Sequence, residues 1–175
     1  MPAAPSAQIP PVYHHLVGDI QVTALSDGTL ERSLELLRSI QADEAQKLLA
    51  DAFRPGVVIS VNAFVLRSNG RSILIETGSG KYLGESAGHL LANMSKVGIS
   101  PASIDTILLT ASYALFQAGN PAPLVTGRLN ASKSFDRTLQ RFAALRAARD
   151  AENSAAKVLA EQIRNRIAIF LSERT

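Results

Sequence analysis

Thr106-Ile107-Leu108-Leu109-Thr110-Ala111-Ser112-Tyr113-Ala114-Leu115-Phe116 is the stretch on which the fold of this chain turns. Its first half, Thr106 to Thr110, is an apolar run typical of a buried strand. Its second half alternates. Leu109, Ala111, Tyr113 and Leu115 fall on one side, and Thr110, Ser112, Ala114 and Phe116 on the other. Gly119-Asn120-Pro121 then breaks the run, and a second strand is expected over about Leu124 to Ala131. From Asp136, a candidate N-cap, to near Ser172 there is neither Gly nor Pro, and Ala, Leu, Arg and Glu dominate, which predicts one long helix. Its apolar stripe of Leu139, Phe142, Ala148, Ala151, Ala155, Leu159, Ile163, Ile167 and Phe170 has helical spacing, so that face is expected to pack on the sheet.

Upstream, Ile20 to Leu25 reads as a strand, and Ser26-Asp27-Gly28-Thr29 carries turn chemistry, so a loop is expected there. Ala42 to Phe53 reads as a helix, with Ala45, Leu48, Leu49 and Ala52 at three- and four-residue steps and Arg54-Pro55-Gly56 as its stop. Val57 to Leu66 and Ser72 to Ile75 flank Ser68-Asn69-Gly70, the strongest hairpin signal in the chain. Gly88 to Val97 resembles a helix closed by Gly98, and Pro101 opens a short turn. Together these elements predict a mixed β-sheet of α/β or α+β class, with the long carboxyl-terminal helix packed on one face.

Composition narrows the chemistry. The 175 residues, 46% apolar and 19% charged, suit a globular protein with one sizeable core. Without cysteine there is no disulfide, thiolate metal site, cysteine nucleophile or lipid-modified amino-terminal cysteine. No apolar run approaches the roughly 20 residues of a membrane-spanning helix, so no membrane span is expected. Met1 to Pro11 lacks the basic and apolar regions of a secretory signal and reads as a flexible terminus. Up to Thr110 there are 8 Lys/Arg against 10 Asp/Glu, and after it 10 against 5, while His14, His15 and His89 all lie in the first part. Such a shift suggests separate origins for the two portions.

Few residues carry a chemical signal. Adjacent side chains on a strand point to opposite faces, so His14 and His15 cannot simply share a metal, and His89 is remote in sequence. Asp27 and Glu76 read as loop and turn residues. Gly78-Ser79-Gly80-Lys81 suggests an anion-cradling loop, but Ile75 and Tyr82 stand where a phosphate-binding loop needs glycine and a hydroxyl. No serine lies in a nucleophile elbow. On the long helix Arg141, Arg146 and Arg149 are candidate anion-contacting residues, against the blander reading of a solvated face. Aromatics interleaved for base stacking are absent, so no nucleic-acid partner is expected.

Two resemblances add to this reading. Val22-Thr23-Ala24-Leu25-Ser26-Asp27-Gly28-Thr29, Ser60-Val61-Asn62-Ala63-Phe64-Val65-Leu66, Ile73-Leu74-Ile75-Glu76-Thr77-Gly78 and Thr106-Ile107-Leu108-Leu109-Thr110 resemble the opening of metallo-β-lactamase-fold hydrolases, over about 110 residues. In that family the last of these strands leads into a His-x-His-x-Asp-His motif that holds one or two zinc ions. Here it leads into Ala111-Ser112-Tyr113-Ala114-Leu115, and no histidine follows His89. Zinc hydrolysis needs at least three protein ligands and an open position for water, so no metal, catalytic residue or cofactor is expected. Thr110 to Leu115, Arg141 to Asn153 and Ala155 to Ile163 are similar to the carboxyl-terminal part of the lipopolysaccharide-assembly lipoproteins (LptE).

The resemblances imply residues 12–110 as a truncated metallo-β-lactamase-like part and 111–175 as an LptE-like hairpin and helix, joined in one domain. They imply a periplasmic or outer-membrane setting for the parents, although neither signal peptide nor lipidated cysteine stands in this sequence. The expected function is a non-enzymatic chimeric scaffold that keeps a lipopolysaccharide or translocon-partner surface. The alternative is a degenerate hydrolase whose zinc site is lost, or rebuilt from His14, His15, His89, Asp27 or Glu76. Exposure of the helix stripe in an incomplete fold would favour a homodimer.

Overall fold

A computed structural model describes residues 11–37, 40–54, 56–135 and 141–173, with the side chains of 141, 142, 144 and 145 left aside. The flexible terminus expected over residues 1–11 therefore lies outside them except for Pro11, as do the candidate N-cap Asp136, the stripe position Leu139 and the side chain of Phe142.

Six strands form one sheet in sequence order: β1 (Val12–Val17), β2 (Ile20–Arg32), β3 (Val57–Ser68), β4 (Arg71–Ile75), β5 (Thr106–Phe116) and β6 (Pro123–Ser134). All neighbours are antiparallel except β4 and β5, so the sheet is mixed. The β3–β4 hairpin closes on Asn69 and Gly70, both at positive φ, the backbone that the Asn-Gly pair supplies most cheaply. The parallel β4–β5 step needs a crossover, which contains α2 (Leu90–Lys96). Gly98 at φ 67 ends that helix, and Pro101–Ser103 form a 3-10 turn. The remaining helices are α1 (Ala42–Asp51), which contacts the 3-10 turn Leu34–Leu36, and α3 (Arg141–Ser172). The long carboxyl-terminal helix, the hairpin at Asn69-Gly70 and the mixed sheet of an α+β fold are as the sequence predicts.

The decisive stretch is a single strand. β5 runs unbroken from Thr106 to Phe116, pairing with β4 through Leu108 and with β6 over its whole length. α3 lies across β5 and β6, and the middle of its stripe meets them as expected: Ala151, Ala155 and Leu159 are buried beside Ile107, Leu109 and Ala131, while Ile163, Ile167 and Phe170 are half-buried outside that core. Val12, Leu25, Val65 and Leu74 belong to the same core as Ala131 and Ala155, so apolar packing continues across position 110.

One expectation is corrected. Ser26 to Thr29 is not a loop, because β2 continues to Arg32. The pairing with β3 skips Asp27, between Ser26↔Asn62 and Gly28↔Val61, so the turn-like residues form a β-bulge. Local chemistry favours a turn there, but β3 is long enough to offer partners down to Val57, and the ladder resumes.

Candidate functional site

The bulge turns Asp27 towards the crossover, and the crossover closes round it. Asp27 is 1% exposed. Its carboxylate accepts from the Ser79 amide at 2.7 Å, the Ser79 hydroxyl at 3.0 Å and the Leu90 amide at 2.9 Å. Its backbone carbonyl accepts from the His89 amide at 2.9 Å. Burial alone would raise the carboxyl's pKa. The hydrogen bonds from Ser79 and Leu90, with the Gly88 amide, outweigh that and hold it below its ordinary range. Asp27 is thus a buried anion neutralised by amides at the start of α2 and in the loop after β4.

Close approach is built into the same place. Gly78 has φ 73, and a Cβ on it would lie 2.5 Å from the Asp27 Cγ. Gly28, in the bulge at φ 133, faces the backbone of Ser86 and Ala87 with no room for a side chain. Residues 78–81, whose glycines beside Lys81 suggest an anion cradle, do bind an anion, but an internal one and through the Ser79 amide. Asn93, 2% exposed on α2, adds a second tie by donating from Nδ2 to the Ser26 carbonyl at 2.7 Å.

Glu76 follows β4 at φ 62, and its carboxylate accepts from both the amide (2.8 Å) and the hydroxyl of Thr110. Its own amide donates to the Leu108 carbonyl at 2.9 Å. Glu76 therefore clamps the end of β4 onto the middle of β5. Next to it the Thr77 hydroxyl donates to Glu152 Oε1 at 2.9 Å, which fastens α3 to the same turn. Sequence reasoning missed the Thr77–Glu152 contact, because partners 75 positions apart leave no local signal. Asn93 had a legible one: it is a polar residue on the apolar Leu90–Met94 face of α2.

Between α2, the Pro101 turn, the sheet and α3 lies a cleft of about 260 Å³. Leu74, Met94 and Ile104 form part of its apolar lining, and Thr77, Arg149 and Glu152 its polar part. Of the candidate anion-contacting residues, Arg149 is exposed and borders this cleft, Arg146 is exposed on α3, and the Arg141 side chain lies outside the described residues.

The histidines stay apart. His14 is half-buried on β1, 3.2 Å from the Thr23 hydroxyl, and its pKa is lowered by burial and then by the nearby Arg67. His15 is exposed on the opposite face of the same strand, and His89 is exposed at the start of α2. Among the described residues no three His, Asp or Glu side chains gather as metal ligands would. Asp27 and Glu76 are already occupied by amide and hydroxyl donors. A site rebuilt from His14, His15, His89, Asp27 and Glu76 is thereby overturned, since metal ligands must converge to about 2.0–2.2 Å from one ion. No helix of the described residues is long and apolar enough to cross a membrane.

No family model and no curated protein matches the chain. Among solved structures it is similar to the hydrolase AbOPH of the beta-lactamase superfamily, at 34% identity and a TM-score of 0.53, over 59% of this chain and 36% of that one. It is also similar to AidC, a dizinc quorum-quenching lactonase solved with a product, at 25% identity and a TM-score of 0.51, over 56% of this chain and 35% of that one. The chain thus spans about a third of the length of these structures and shares the metallo-β-lactamase-type fold over 59% of its own length. None of these findings supports the expected likeness of residues 110–175 to LptE, or a chimeric origin. The zinc pair of the lactonase does not fit the residues here. Where a ligand motif would follow Thr110, β5 continues through Ala111-Ser112-Tyr113-Ala114-Leu115 in register with β6.

Proposed function

We propose that this chain is a degenerate metallo-β-lactamase-fold hydrolase that keeps the opening sheet of the fold, has lost the zinc site, and serves as a non-catalytic scaffold. The observation that carries this reading is the path of β5. Past Thr110 the strand presents no imidazole or carboxylate over its length to Phe116, and its backbone is committed to the ladder with β6. A hydrolytic zinc needs at least three ligands held round an open position. The carboxylates of Glu76 and Asp27 instead serve as acceptors, Glu76 tying the turn after β4 to Thr110 on β5 and Asp27 tying the crossover to the bulge of β2. The same groups that would be recruited to chemistry are spent on architecture. The arginines of α3 play no part in this reading, and neither does a lipopolysaccharide partner.

Zinc content after equilibration with the ion, measured beside turnover of an ester, a lactone and a lactam with and without zinc, tests the proposal. The expected result is neither stoichiometric zinc nor zinc-dependent turnover. Near-stoichiometric zinc together with zinc-dependent turnover would overturn it.

A further inference from the structure

The cleft between α2, the Pro101 turn, the sheet and α3 changes character from floor to rim. Leu74, Met94, Ile104 and Ile107 line its depth, and all four are buried. At the rim stand Leu91, 61% exposed, and the exposed Arg149. Thr77 and Glu152 lie at intermediate depth, half-buried and joined by their own hydrogen bond of 2.9 Å. Asp27, which also borders the cleft, is 1% exposed, and its carboxylate is occupied by the Ser79 and Leu90 amides. Among the described lining residues Arg149 is the one lysine or arginine. The stripe of α3 is not free for a second copy at Ala151, Ala155 and Leu159, because the sheet covers it there. The concave surface left between the elements is this cleft.

We propose that this cleft binds a short aliphatic carboxylate, with its chain against Met94, Ile104 and Ile107 and its carboxylate paired with Arg149. An apolar floor below a cationic rim suits a ligand with an apolar tail and an anionic head, which is the usual division of labour in small-molecule sites. The head stays at the wet rim, so its charge is not carried into the core, and the guanidinium can hold a carboxylate through two parallel N–H donors. An amine head is the poorer fit. The carboxylates that would have to attract it, Glu152 and Asp27, already accept from Thr77 and from backbone amides. Size sets the length of the tail. A cavity of about 150 Å³ takes benzene, with six carbons, so in proportion the cleft of about 260 Å³ takes about ten non-hydrogen atoms, the number in octanoate. The long acyl chains of membrane lipids exceed that volume. Binding of such a ligand goes beyond the scaffold reading, which requires none.

Isothermal titration calorimetry of the full chain with straight-chain carboxylates, kept below the concentrations at which they form micelles, reads this directly. Octanoate is expected to saturate one site per chain. From hexanoate to octanoate each added CH2 should tighten binding about fourfold, equivalent to about 0.8 kcal/mol, and dodecanoate should bind no tighter than decanoate because the cleft is then full. Octylammonium should bind about tenfold more weakly than octanoate, and Arg149→Gln should weaken octanoate at least about threefold while leaving octan-1-ol unchanged. Ala148→Met, which sends a longer side chain into the cleft, should abolish saturable binding. Arg149→Gln, at an exposed position, carries the test if the Ala148 variant does not fold. No saturable octanoate binding, a gain per CH2 that continues undiminished past decanoate, octylammonium binding as tightly as octanoate, or an Arg149→Gln variant that binds octanoate like the wild type would each overturn the proposal. The titrations contain no zinc and follow no turnover, so their outcome is separate from that of the zinc measurement.

Discussion

Replacing Asp27 by Ala removes the acceptor round which the crossover is wound, and the cost can be worked from its contacts. The Ser79 and Leu90 amides, 2.7 and 2.9 Å from the carboxylate, would lose their partner. The Ser79 hydroxyl can turn away to other acceptors, so it adds little. A buried donor left unsatisfied costs about 1–3 kcal/mol, which puts the pair at roughly 2–6 kcal/mol. Against a typical total of about 5–15 kcal/mol, that is a large share of the stability. With a urea m-value of about 2 kcal/mol/M, the unfolding midpoint should fall by about 1–3 M. Asp27→Asn keeps an acceptor oxygen but turns an NH2 group towards donors, and should fall by less. Glu85→Ala, on the exposed part of the same crossover, should stay within about 0.5 kcal/mol of wild type. Urea unfolding followed by circular dichroism measures all three. An Asp27→Ala midpoint within about 0.25 M of wild type would refute the claim that these amides depend on Asp27.

Other perturbations separate further parts of the argument. Gly78→Ala should destabilise clearly more than Gly18→Ala, because both sit at positive φ but only at Gly78 would the new Cβ press on Asp27; equal melting temperatures would show that the approach relaxes freely. Stability should fall with acid. Asp27's folded pKa lies below its ordinary 3.8, so its contribution is complete above 3.8 and lost as pH drops through the folded value; His14, held below 6.5, adds a loss in the same direction at milder acidity. Urea midpoints followed from neutral pH to below 3.8 should show this, and an Asp27→Asn profile as steep as wild type at the acid end would count against Asp27 as the source. Ala155→Asp should unfold or loosen the chain by placing a charge at a 3% exposed helix–sheet contact, whereas an unchanged melting temperature would mean that α3 does not pack there.

Elements whose signals are local were legible in the sequence. Asn69-Gly70 carries its own backbone preference, and the alternation from Leu109 to Phe116 needs only its neighbours to declare a strand. The stripe from Ala151 to Leu159 likewise needs only helical spacing to announce a buried face. Ser26-Asp27-Gly28-Thr29 has equally strong local turn chemistry, yet it forms a bulge within β2. Its outcome depends on two distant things: the length of β3, which keeps the ladder going to Arg32, and the amides of Ser79 and Leu90, which arrive 52 and 63 positions later. Turn propensity describes what a segment does alone; a bulge is what that segment does when partners exist on both sides.

The same logic explains why the candidate site was hardest to read. Searching for chemistry in Asp27, Glu76 and the Gly78–Lys81 loop treats each as facing outward to a ligand. In the folded chain they face one another: the loop's Ser79 amide meets Asp27, Glu76 meets Thr110, and Thr77 meets Glu152 on α3. Each carboxylate in this set is matched by a donor from another element, so three separate parts of the chain, the bulge of β2, the turn after β4 and the helix α3, are held by polar bonds that a hydrolytic centre would have to break. A buried carboxylate that gave up its amides to a cation would leave those amides unpaired at about 1–3 kcal/mol each, and the cation's other ligands would still have to come from histidines lying on β1 and at the start of α2. On the proposed reading, a metal site in this framework would therefore take new ligands, not a rearrangement of the carboxylates already present.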